Sequence, residues 1–211
     1  MPAEFTATAF LNGFLMSLVL IVAIGAQNAY VLRQGLRREH VGAVVLFCAA
    51  GDAVLIGAGV AGMAQALQGR PMLATALAGL GAAFLCAYGL RALWRSRQPG
   101  ALQATAQGVS LSRAAVVAQA AGFTLLNPHV YLDTVLLVGS AGAQYAGLLK
   151  VWFVVGAAMA SALWFTALGF GARLLAPVFA RPRAWQMLDA LIGGTMLVLA
   201  AMLARRALTG A

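Results

Sequence analysis

Acidic side chains are scarce in this chain: five aspartates and glutamates in 211 residues, against fourteen lysines and arginines. Charge of either sign amounts to 9% of the sequence, where soluble domains carry about 25%. That shortage excludes a soluble globular domain. Cysteine is nearly missing as well. Cys48 and Cys86 both sit in apolar stretches with no CxxC spacing, so they read as small core residues. No cluster with metal-ligand spacing is present, and neither a metal nor a cofactor is expected. No catalytic constellation is visible, so the chain does not read as an enzyme. The start, MPAEFTATAF, has Glu4 and no basic residue ahead of its apolar run. It lacks the positive region of a cleaved signal peptide, so the first hydrophobic segment is expected to be retained.

What is present is apolar: 63% of residues are hydrophobic. Apolar runs fall near 5–32, 41–67, 72–94, 113–142, 147–176 and 185–204. A run of 18 or more residues can cross the roughly 30 Å hydrocarbon core. The expected fold class is therefore an all-α membrane protein with six transmembrane helices. The longest polar stretch, WRSRQPGALQATAQGVSLSR (94–113), divides the chain into two halves of three helices. An odd number of helices per half would invert the halves relative to each other. The chain reads as one domain, 1–211, with repeat one at about 1–96, a linker at about 95–112 and repeat two at about 113–211.

The net charge of +9 could suggest nucleic acid, but the arginines are scattered at segment ends and point to a membrane instead. With six crossings, one side receives Arg33, Arg37, Arg38, Arg91, Arg95, Arg97, Arg113, Arg173, Arg181 and Arg183, and the other Arg70, Lys150, Arg205 and Arg206. The richer side is expected in the cytoplasm, which puts the C-terminus outside. The N-terminus is outside too if segment one spans, and inside if that segment only dips into the bilayer.

Two aspartates lie deep in apolar runs: Asp52 in VGAVVLFCAAGDAVLIGAGVAGMAQAL (41–67) and Asp133 in AAVVAQAAGFTLLNPHVYLDTVLLVGSAGA (114–143). A carboxylate at the bilayer centre costs about 2.5–3.5 kcal/mol even on the lenient insertion scale, so it tends to be kept for a task. Ala49, Gly59 and Gly62 share a helical face with Asp52 and would turn it toward the bundle interior. The alternative is an aspartate held by a helix–helix hydrogen bond. Asp189 lies four residues into the last run and is expected to cap a helix or face the surface.

The first helix of each half carries an amide-containing break, GAQN (25–28) or LNPH (126–129). Pro128 has no N–H and crowds the carbonyl of Thr124, so the helix should kink or break there. Backbone groups freed in lipid must be buried in protein or line a wet cavity. Asn127 can satisfy some of them; Gly25, Gln27 and Asn28 form the corresponding break in segment one, or else a polar cap. His129 precedes Asp133 by four residues, which suits a proton relay on one helix face or a structural hydrogen bond. Tyr30 and Tyr131 could line a pocket or simply pack. Sliding the halves by 101 residues aligns Tyr30 with Tyr131; sliding by 109 aligns Asp52 with Ser161.

AIGAQNAYVLRQGL (23–36), CAAGDAVLIGAGVAG (48–62) and LLNPHVYLDTVLLVGS (125–140) resemble the signature segments of the LysE family of basic amino-acid exporters. The resemblance covers essentially the whole chain. Related exporters of neutral amino acids usually show a PGPN-like element where Gly25-Ala26-Gln27-Asn28 stands here, which favours basic cargo. The resemblance implies a multi-pass inner-membrane exporter of L-lysine, L-arginine or both, energised by the proton-motive force, with functional weight on Asp52 and Asp133. The short central loop lacks the long basic tract of some relatives.

The expected mechanism places both aspartates at a shared midplane cavity, pairing with the cargo's side-chain cation and exchanging it for a proton. Gln27, Asn28 and Asn127 would hold its α-carboxylate and α-amino group. The expected partners are this cargo, protons and the lipid bilayer, with a homo-oligomer also open and nucleic acid excluded. A neutral amino-acid exporter, an inorganic-cation exporter and a structural membrane protein are the competing readings.

Overall fold

A computed structural model describes residues 3–22, 25–63, 71–97, 111–126, 130–179 and 181–209. The expectations placed on Asn127, Pro128 and His129, and on most of the central linker, fall outside these. The helices are α1 (Ala3–Val22), α2 (Ala26–Arg37), α3 (Val41–Ala58), α4 (Pro71–Ser96), α5 (Arg113–Leu125), α6 (Gly139–Ala143), α7 (Gly147–Gly171), α8 (Ala176–Phe179) and α9 (Pro182–Thr209). A wide-turned π-helical stretch, Tyr131–Val138, leads into α6, and a shorter one, Gly59–Met63, follows α3. No strand occurs among the described residues.

Apolar composition and length fix which helices can cross a bilayer. Among the described residues four qualify on both counts: Glu4–Val22, Val41–Gly62, Gly147–Leu175 and Pro182–Arg205. The 26 residues of α4 would reach about 39 Å at 1.5 Å per residue. Proline opens both α4 and α9, at the first helical position, where its missing N–H costs nothing. The Ser112 hydroxyl caps α5 by accepting from the Ala115 N–H at 3.2 Å.

Polarity is turned inward. Val19, Leu46, Val54 and Met187 lie largely exposed on the outer surface, while Ser17, Gln27, Asp52, Thr124 and Ser161 are buried. That is the pattern of helices solvated by lipid. α1 lies along α7, α4 along α9, and α3 packs on α7 in the middle of the bundle. The α1–α7 crossing depends on two glycines. A Cβ at Gly13 would fall 2.1 Å from the Phe153 carbonyl oxygen, and one at Gly156 would fall 2.1 Å from that of Phe10. Such close backbone approach is what small residues permit in membranes.

The GAQN break is real. α1 stops at Val22, and Gly25, with extended backbone (φ −103°, ψ 174°), begins α2. The Ile21 carbonyl near the end of α1 accepts from Asn28 Nδ2 at 2.6 Å, and Trp164 Nε1 on α7 donates to Asn28 Oδ1 at 3.2 Å. At the other break α5 ends at Leu125, whose carbonyl accepts from the Tyr131 hydroxyl at 2.9 Å. Both interruptions thus have side chains serving the stranded carbonyls. The regular helix around Asp52 does not continue to Gly62, whose φ of 105° takes the chain out of helical geometry. The face anticipated for Asp52 therefore ends near Gly59, which packs against Val135: a Cβ there would lie 2.7 Å from the Val135 carbonyl oxygen.

Candidate functional site

The end of α1, the start of α2, α3 and the π-helical stretch with Val130 before it border a cavity of about 70 Å³. A single water needs roughly 10–15 Å³ by the same measure, so the space suits several waters. α1 contributes Ser17 to its lining, the α2 start Gly25, Gln27 and Asn28, α3 Asp52, and the π-helical stretch Asp133 and Thr134. Asp52 and Asp133, from different halves of the sequence, thereby border one space whose wall also carries Leu20, Ile21, Val130 and Val138. No lysine or arginine lines it among the described residues.

Asp52 is 2% exposed. Its Oδ2 accepts from the Ser161 hydroxyl on α7 at 2.8 Å, whereas its Oδ1 is buried without a partner. An unmatched carboxylate oxygen away from water is costly unless a cation or donor arrives to satisfy it. Gln27 is buried and donates Nε2 to Thr124 Oγ1 at 3.1 Å, tying α2 to α5. Tyr30 extends that seam by donating to the Val116 carbonyl at 2.8 Å, and it accepts from Gln34 Nε2 at 3.2 Å.

Gly25 offers no side-chain cap, and the start of α2 borders the cavity through Gly25, Gln27 and Asn28. A helix N-terminus of this kind carries partial positive charge and suits an anionic group. The twelve residues of α2 span about 18 Å, short of the roughly 30 Å of a bilayer core. Asn28 touches the cavity but spends both ends of its amide holding the break. Tyr131 is occupied with Leu125 and is not part of the lining.

Ser17, Thr134 and Ser161 were not anticipated as site residues. The only sequence signal for Ser161 is its register with Asp52 in the 109-residue slide; isolated hydroxyls in apolar runs gave no such cue for the others.

Asp189 is not at the surface. It is 2% exposed and pairs through Oδ1 with Arg33 at 2.7 Å and Arg95 at 3.3 Å. The reason is that α9 begins at Pro182, two turns earlier, so Asp189 already lies against α4. Likewise α2 continues to Arg37, which keeps Arg33 inside the bundle rather than in a loop. These charges occupy a separate end of the molecule from the Asp52 cavity.

Comparison with known proteins agrees with the architecture. The model of the LysE type translocator family matches residues 18–207. A protein of Aeromonas salmonicida that carries the provisional name amino-acid transporter YggA is 45% identical over 199 residues, 94% of this chain and 96% of its own. Rv0488 of Mycobacterium tuberculosis, provisionally named an amino-acid transporter, is 44% identical over 180 residues, 85% of this chain and 89% of its own. The arginine exporter protein ArgO of Pectobacterium carotovorum is 39% identical over 196 residues, 93% of this chain and 96% of its own. No solved structure gives a significant match. A helical bundle with several membrane-length apolar helices, matched along nearly its whole length, belongs to the LysE family of multi-pass membrane translocators.

Proposed function

We propose that the protein exports basic amino acids, L-arginine or L-lysine or both, from the cytoplasm across the inner membrane in exchange for protons. One observation carries this reading: Asp52, buried with one carboxylate oxygen unmatched, borders the same cavity as Asp133, and no side-chain cation lines that cavity among the described residues. A guanidinium or ammonium group supplies what the site lacks. The α2 N-terminus would receive the cargo's α-carboxylate, as broken helices do in other transporters. The similarity to a protein named as an arginine exporter and the resemblance at GAQN and NPHVYLDT support a basic cargo.

Electrostatics then requires coupling. Moving one positive charge outward against an inside-negative potential costs about 2.3 kcal/mol per 100 mV, near 3.5 kcal/mol at roughly 150 mV. A passive pore would run inward. Exchange for one proton cancels the charge moved, and protonation of either aspartate from outside would release the cargo. The fold that serves this exchange is two inverted three-helix repeats, with the C-terminus outside. In support, Asp52 and Ser161, which the 109-residue slide aligns, meet each other directly, and the end of α1 borders the cavity through Leu20 and Ile21.

The test is counterflow of labelled arginine in proteoliposomes, with unlabelled lysine or threonine as competitor. Lysine is expected to compete and threonine not. Asp52→Asn and Asp133→Asn are each expected to abolish flux while the protein still inserts. Normal flux in both variants would refute the reading, and competition by threonine would point to a neutral cargo.

A further inference from the structure

At the Asp189 end of the bundle lies a second chamber, of about 390 Å³, that shares no lining residue with the Asp52 cavity. Arg33, Arg37, Arg91 and Arg95 all line it. Two carboxylates answer these four guanidinium groups: Asp189 takes Arg33 and Arg95, and Glu39 takes Arg37 at 2.9 Å. Two positive charges are left over. Arg91 is exposed and has no ion-pair partner among the described residues. The Nε groups of Arg37 and Arg95 are buried donors without an acceptor, while Gln34 Oε1 in the same wall and Glu39 Oε2 are buried acceptors without a donor. Native proteins leave few buried donors unpaired, and each unpaired one points to a ligand or water not yet accounted for.

The wall of the chamber adds a direction. Arg91 and Arg95 are one helical turn apart on α4 and so share a face. Leu90 and Trp94, which precede them, are 55% and 63% exposed on the outer surface. Arg95 also lies over the Tyr88 ring, 5.7 Å from its centroid, which fixes the guanidinium in the chamber wall. An amphiphile could therefore lay acyl chain along Leu90 and Trp94 while its head reaches the arginines. Guanidinium groups favour planar two-point contacts to phosphate oxygens, and basic pockets between membrane helices suit anionic headgroups.

We propose that this chamber binds a phosphate-bearing anion, supplied by the headgroup of an anionic phospholipid. Arg91 and the two unpaired Nε donors make the new contacts, and the Arg33–Asp189 pair stays closed beneath them.

The experiment titrates the purified full-length protein, in neutral detergent, with short-chain phosphatidylglycerol, short-chain phosphatidylcholine and glycerol 3-phosphate. Bound lipid is read by native mass spectrometry and stabilisation by Tm. Phosphatidylglycerol is expected to bind saturably and raise Tm, and phosphatidylcholine to do neither. Losing one charge-assisted contact should weaken that binding about ten- to hundredfold in Arg91→Gln and in Arg37→Gln. Arg173→Gln, outside the chamber and exposed, should bind as the parent does. Because Arg91 is exposed, its variant is expected to fold even if the Arg37 variant does not. If glycerol 3-phosphate raises Tm with the same dependence on Arg91, the phosphate site stands and its source is soluble. Equal binding of the two lipids, or undiminished phosphatidylglycerol affinity in Arg91→Gln, overturns the proposal.

Discussion

Ser161 on α7 donates its hydroxyl to Asp52 on α3 at 2.8 Å, across 109 residues of sequence. The other oxygen of that carboxylate has no partner among the described residues. Ser161→Ala removes the hydrogen bond without altering the volume of the cavity appreciably. Hydrogen bonds to charged groups are worth about 1.5–3 kcal/mol, so initial counterflow of arginine should slow by roughly tenfold or more. Ser161→Thr, which keeps the hydroxyl, should retain most of the rate. Equal rates in parent and Ser161→Ala would show that this bond does not tune the aspartate.

Asp189 holds Arg33 and Arg95 together inside the bundle. Asp189→Asn leaves both cations without their counter-charge, and removing one partner of a buried pair costs about 3–5 kcal/mol. Equilibrium unfolding in mixed micelles should show a loss of that size. The double variant Arg33→Met, Asp189→Leu replaces the Arg33–Asp189 pair with apolar groups and should recover much of it. A loss under about 1 kcal/mol in Asp189→Asn would indicate that water already reaches the pair.

Asn28 serves the Ile21 carbonyl and accepts from Trp164. Asn28→Ala strands both groups, and an unmatched buried polar atom costs about 1–3 kcal/mol. The expected readout is a lower Tm, and Asn28→Asp, which keeps the acceptor but loses the donor, should fall between. An unchanged Tm in Asn28→Ala would mean that the break is held by other contacts.

The crossing of α1 and α7 tolerates no side chain at Gly13 or Gly156. Gly13→Val and Gly156→Val should each prevent accumulation of folded protein in the membrane. Gly194→Ala is the control, because nothing lies within 4 Å of the added carbon. It should accumulate normally, as immunoblots of membrane fractions would show.

Much of this could be read from the residues before any coordinates. Gly25, Gln27 and Asn28 interrupt an apolar run, and an interruption in lipid has to be sheltered, so the break followed from local chemistry. Asp52 was singled out because a carboxylate in such a run is costly. What could not be read was tertiary. Arg33 and Asp189 are 156 residues apart, and only the packing of α2, α4 and α9 joins them. Position near the end of a hydropathy run suggested exposure for Asp189, whereas the helix in fact starts two turns earlier. The π-helical course of Tyr131–Val138 also escapes periodicity arguments, since its residues satisfy an ordinary helical pattern equally well. Asn28 illustrates a third limit: its amide borders the cavity, and its bonds to the Ile21 carbonyl and the Trp164 indole are tertiary facts that no sequence pattern announces.

The amide of Asn28 has a mechanical consequence. By gripping the tail of α1 and the indole of Trp164 at once, it rivets the elbow of the first hairpin to α7. In the proposed exchange, those pieces are expected to move together when the Asp52 cavity opens to either side. Relative movement is left to the seams without such a fastener, so spin labels on α4 and α7 should report larger excursions than labels on α1 and α7.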